Sequence, residues 1–172
     1  MNNERKLEDF NRECLQDFFV DKLLSHEQLK KGLAELISIS ENEIFIYEDD
    51  NELLKEIDKN DMNPYLLQIR YVIVKGDFSL LLMLEPADPD VSKKIRDIGQ
   101  KIYTFISDFS DKFQCYCAIV AWESDPIAQS DDFYLINGRK HRELIYLDQP
   151  DNEDKPNPDD DTDYYFICKI GE

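Results

Sequence analysis

Tyr65-Leu-Leu-Gln-Ile-Arg-Tyr-Val-Ile-Val74 and Phe78-Ser-Leu-Leu-Leu-Met-Leu84, joined by Lys75-Gly76-Asp77, decide the fold. Both runs are rich in β-branched, leucine and aromatic residues, and the link carries turn chemistry. The pattern predicts two strands in a hairpin with a three-residue loop. Each run is apolar at odd and even positions, which predicts a sheet covered on both faces.

Downstream, Asp88-Pro89 reads as an N-cap followed by proline at the first helical position. Val91, Ile95, Ile98, Ile102, Phe105 and Phe109 then form one stripe, so a long helix is expected over 89–111. Gln114–Trp122 reads as a further strand. Upstream, Glu43–Glu48 is a short strand, and Asp49 or Asp50 can cap a short helix over 51–59 that carries Leu53, Leu54 and Ile57. The order over 43–122 is therefore β-α-β-β-α-β. It matches the split βαβ order of a ferredoxin-like sandwich, by element order only, and another α+β sandwich fits it as well. The expected core is Leu67, Ile69, Tyr71, Ile73, Leu80, Leu82, Ile95, Ile98, Ile102, Phe105, Ile119 and Trp122.

At the N-terminal end, Leu7, Phe10, Cys14 and Phe18 recur at spacings of three or four and predict a helix over 3–24. Ser25-His-Glu-Gln28 fits a capping box, and a second helix follows to about Ile37. The short link makes 1–38 a helical hairpin, the natural cover for one face of the sheet. At the other end, Phe133–Ile136 and Arg142–Leu147 flank Asn137-Gly138, a type I′ turn pair, and Tyr164–Lys169 is a last strand. Residues 132–170 thus read as a β extension. Asp148–Asp163 carries three prolines, eight acids and one lysine, which predicts a solvated, mobile loop. The whole is expected to be one α+β domain over 1–172, with the helical hairpin packed on a mostly antiparallel sheet.

The chain of 172 residues has 38 acidic and 20 basic residues, a net charge of −18. That field argues against direct nucleic-acid binding, because phosphates need a cationic surface. No apolar run reaches the roughly 18 residues that a membrane span needs. The N-terminus is charged and lacks a signal-peptide core, so a cytoplasmic protein is expected, its four cysteines reduced. The charge is uneven: net −9 over 1–61, zero over 62–122 and −9 over 123–172. Two acidic clusters result, one around Asp49, Asp50, Glu52, Glu56 and Asp58, the other in the loop with Asp159, Asp160 and Asp161.

Catalytic chemistry finds little support. No G-x-S-x-G occurs, and neither His26 nor His141 has a motif partner. Gly138-Arg-Lys-His-Arg142 is the basic turn of a hairpin and reads as an edge guard. Cys115 and Cys117 fall on one face of a strand, at a spacing that metal knuckles do not use, and read as buried structural residues. Asp159-Asp-Asp-Thr-Asp163 lacks the glycine and the glutamate of a calcium loop. Glycine is scarce, five in all, and none lies in a phosphate-cradling loop. No catalytic, metal or cofactor site is therefore expected.

The favoured reading is an acidic interaction module that inhibits or neutralises a basic protein partner, as immunity proteins, antitoxins and DNA mimics do. One alternative is a secretion-chaperone-like or adaptor protein that binds through an apolar groove. Another is a metal-dependent enzyme that uses scattered carboxylates. The candidate docking residues are Asp49, Asp50, Glu52, Glu56, Asp58, Asp159, Asp160 and Asp161.

Overall fold

The computed structural model describes residues 16–58, 64–95, 101–121 and 132–169. These form an α+β fold with one open, mixed sheet and four helices among the described residues. The strands are β1 (Gln16–Val20), β2 (Ile44–Tyr47), β3 (Leu67–Ile73), β4 (Lys75–Gly76), β5 (Leu80–Pro86), β6 (Cys117–Val120), β7 (Asp132–Asn137), β8 (His141–Asp148) and β9 (Tyr164–Lys169). The helices are α1 (His26–Ile37), α2 (Asp50–Asp58), α3 (Pro89–Ile95) and α4 (Lys101–Phe113). The strand order is β2-β3-β5-β1-β6-β7-β8-β9-β4. By contacts the chain falls into two compact units.

The first unit holds residues up to Asp17, Ser25–Tyr71 and Leu82–Phe105. Its α1 begins as the sequence predicts. Ser25 Oγ accepts the Gln28 N–H at 3.1 Å, and Gln28 Oε1 accepts the Ser25 N–H at 2.9 Å. Leu29, Leu33, Ala34 and Ile37 form its buried stripe. Asp88 Oδ1 accepts the N–H groups of Asp90 and Val91, and Pro89 opens α3. Lys94 Nζ donates to the Ile37 carbonyl at 2.7 Å and ties α3 to the end of α1. Leu67, Ile69, Leu82, Leu84 and Ile95 are fully buried.

The second unit holds Phe18–Leu24, Val72–Leu81 and Ile106–Glu172. The pairs β1/β6, β6/β7, β7/β8 and β8/β9 are antiparallel. The C-terminal half of α4 packs on one face, where the Phe109 ring meets the Phe18 ring edge-on at 4.9 Å. Phe19 lies on the opposite face with Val74, Phe78, Ala118, Leu135 and Ile145. Ser110, buried, donates to the Cys115 carbonyl and accepts the Gly138 N–H at 2.8 Å.

Several expectations need correction. Residues 16–20 form a strand, so the expected helix over 3–24 and the hairpin built on it do not form as read; residues 1–15 lie outside the described residues. Gln16-Asp-Phe-Phe-Val20 has the aromatic and β-branched residues of a strand, and its partner lies far along the chain, with Phe19 opposite Ala118. The split βαβ pairing is also absent. β2 and β3 pair directly and in parallel, Ile44 opposite Leu67 and Tyr47 opposite Arg70, with no strand between them. The strand between β5 and β6 is β1.

The expected helix over 89–111 is seen as α3 and α4, which runs on to Phe113; residues 96–100, with Ile98, fall outside the described residues, as do Trp122 and the Ile102 side chain. Lys75-Gly76 is a short strand parallel to β9 as well as part of a turn. Ile73, expected in the core, is 49% exposed. Burial changes face there, from Tyr71 to Val74, as the chain leaves β3 for β4. Around Asn137-Gly138 only the glycine has positive φ, and Asn137 pairs with His141, so the loop is the three residues Gly138–Lys140.

Candidate interaction surface

The first acidic cluster sits on α2, and its members have different local roles. Asp49 is the N-cap: its Oδ1 accepts the Asn51 N–H at 2.9 Å. Asp50 Oδ1 lies 3.8 Å from Arg70 Nη1. Both acids stand at the positive end of the helix dipole, so helix stability accounts for them in part. Glu56, half-buried, accepts the Tyr65 hydroxyl at 2.6 Å, a bond that pushes the Tyr65 pKa up to about 12. Glu52 is exposed, and Leu54, one turn after Asp50, is 57% exposed. Asp58 ends the helix; its side chain lies outside the described residues.

The second cluster is more ordered than its composition predicts. Within Asp148–Asp163 a 3-10 turn spans Asn152–Asp154, and Lys155 is buried to 7% exposure with Nζ near the Asp160 carbonyl at 3.4 Å. Asp160 accepts from Lys75 Nζ, from the Thr162 N–H at 2.9 Å and from the Tyr164 hydroxyl at 3.4 Å. The Lys75 ammonium, with the Thr162 bonds behind it, holds the Asp160 carboxyl well below the usual carboxylate range. The Lys75 N–H also donates to the Asp163 carbonyl at 2.9 Å. Asp160 is therefore a latch in the loop, while Asp159 and Asp161 are exposed. The three consecutive carboxylates do not act as one surface.

The structure also gathers a polar row that sequence reasoning missed. The Tyr47 hydroxyl donates to Glu85 Oε1 at 3.1 Å, and Tyr47 stands opposite Arg70 in the β2/β3 register. Arg70 Nε is buried without a hydrogen-bond partner. Burial pushes the Glu85 carboxyl up, against the opposing pull of the Tyr47 bond and Arg70. Desolvation also raises Asp17, with the Glu85 charge adding to it, although Asp17 is exposed on its outer side. Glu85 closes an otherwise apolar strand, which was the one visible signal; the rest needed the strand order.

Both histidines have acidic neighbours in space. His26 Nε2 lies 3.6 Å from Glu48 and its ring stands edge-on to Tyr71, while His141 Nε2 lies 2.7 Å from Glu143. Neither arrangement includes a nucleophile. Cys115 and Cys117 are buried free thiols with sulfurs 3.9 Å apart, and burial raises the Cys117 thiol. Among the described residues no group of three or more His, Cys, Asp or Glu is disposed to hold a metal ion. Likewise no helix among them is long and apolar enough to cross a membrane. No protein-family model, curated protein or solved structure matches the chain.

Proposed function

We propose that this chain is an acidic interaction module of the cytoplasm that binds a basic protein and inhibits or neutralises it. The observation that carries the reading is α2, where Asp50 and Leu54, four residues apart on one side of the helix, are both exposed while Asp49 serves as the cap. The helix dipole accounts for acids in the first turn, Asp50 and Glu52 among them, but not for an exposed leucine. Asp50 and Leu54 make an apolar contact beside negative charge, suited to a partner with lysine or arginine around an apolar patch. Glu52 and the half-buried Glu56, also four residues apart, add carboxylates on another side of the same helix. Asp159 and Asp161 supply a second acidic patch, with Asp160 holding the loop in place. The free thiols of Cys115, Cys117 and Cys168 support a reducing compartment.

The test is affinity capture from the native cell extract on immobilised wild type and on the Asp50→Asn/Glu52→Gln variant, each eluted with rising salt. The reading expects basic proteins held by the wild type at low salt, released at high salt and depleted on the variant. Retention that ignores both salt and the substitutions would remove it.

A further inference from the structure

The second unit carries a groove of about 410 Å³, within the size range of pockets that hold small ligands. Phe19, Phe133, Leu147 and Tyr165 line it, together with the exposed Asp148 and Gln149. Three separate strands bring the rings together. Phe19 comes from β1, Phe133 from β7 and Tyr165 from β9, three strands that are not neighbours in the sheet order. The Phe19 ring lies 6.1 Å from Phe133 in an edge-on arrangement and 4.6 Å from Tyr165 in a tilted one. Phe133 and Tyr165 remain half-buried, so part of each ring is available to a ligand.

We infer that this groove takes a cationic side chain, lysine or arginine, from the basic partner. The inference rests on the reading of a basic partner for the choice of occupant. Aromatic faces carry negative quadrupole charge and attract ammonium and guanidinium groups. Asp148 supplies a carboxylate to pair with the charged head, and the aliphatic stem of such a residue suits the Leu147 and Phe133 walls. A second acid lies close by: the charge of Asp163 adds to burial in raising the Tyr165 hydroxyl. An uncharged apolar occupant would gain nothing from the Asp148 carboxylate. An anionic one would meet the field of a chain of net charge −18.

The test needs no partner. N-acetyl-lysine methylamide and its neutral norleucine analogue are titrated into the full chain, and the ring resonances of Phe133 and Tyr165 are followed by NMR. The expected result is saturable shifts at these rings with the lysine compound, and binding of the norleucine compound weaker by about fivefold or more. Asp148→Asn, an exposed change that spares the core, is expected to weaken lysine binding about threefold and to leave norleucine binding unchanged. Equal binding of the two compounds, or no ring shifts with either, would overturn the assignment. Failure here with capture on α2 still sensitive to salt would leave the acidic-module reading standing. Binding here with capture indifferent to salt would remove that reading and leave the groove a cation site.

Discussion

Phe18 and Phe19 offer a sharp test of the fold, because a strand sends neighbouring residues to opposite faces and a helix does not. Phe18 is 1% exposed and meets Phe109 at 4.9 Å; Phe19 is 7% exposed and meets Phe78 at 5.4 Å. Truncating a buried phenylalanine to alanine costs about 3–5 kcal/mol, from lost transfer energy and the cavity left behind. Both Phe18→Ala and Phe19→Ala should therefore lower stability by about that amount, with a fall in Tm on the order of 6–20 °C for a chain of this length. Ring pairs add about 0.5–1.5 kcal/mol of coupling beyond burial. Double-mutant cycles by urea unfolding should show that coupling for Phe18 with Phe109 and for Phe19 with Phe78. The cross cycle, Phe18 with Phe78, should be additive to within about 0.5 kcal/mol. Coupling of Phe18 to both rings, or a cost below about 0.5 kcal/mol for either single change, would refute the strand assignment of residues 16–20.

The remaining predictions concern single groups. Glu85 has a raised carboxyl in the folded state, so the stabilising contribution of its neutral form is complete below the unfolded carboxylate pKa and is lost as pH rises through the folded one. Glu85→Gln should then stabilise the protein at neutral pH, with the advantage vanishing in acid; urea midpoints across pH check this, and a constant difference would contradict it. Asp160→Asn should release the 148–163 loop, read as earlier proteolytic cleavage there and faster exchange of the Thr162 N–H than in wild type. Equal protection in the two proteins would mean that the latch is elsewhere. Gly138 has φ +62°, and an added Cβ there would press against the Asp111 carboxylate. Gly138→Ala should cost about 1–3 kcal/mol on denaturant unfolding, and a neutral result would show that the loop shifts freely.

What the sequence made legible was local. The Ser25–Gln28 capping box, the Asp88-Pro89 helix start and the Asp49 cap depend on residues a few positions apart, and each was readable before any pairing was known. β1 was misread because Phe10, Cys14 and Phe18 happen to share helical spacing, while its true determinant, pairing with Cys117 and Ala118, lies about a hundred residues away. The same reason hides the Tyr47–Glu85 bond and the groove at Phe19, Phe133 and Tyr165, whose members come from separate strands. The acidic loop was misjudged for a different cause. Its composition counts eight carboxylates and gives no sign that Lys155 is buried within it or that Lys75 pairs with Asp160.

The central claim is that the carboxylates of α2 steer a basic partner, and the association rate against ionic strength tests it most directly. With the captured partner, wild type should associate about tenfold faster at low salt than at high salt. Asp50→Asn/Glu52→Gln should slow association at low salt and flatten the salt slope, with dissociation little changed. Identical rates and slopes for the two proteins would contradict the claim and take α2 out of the interface.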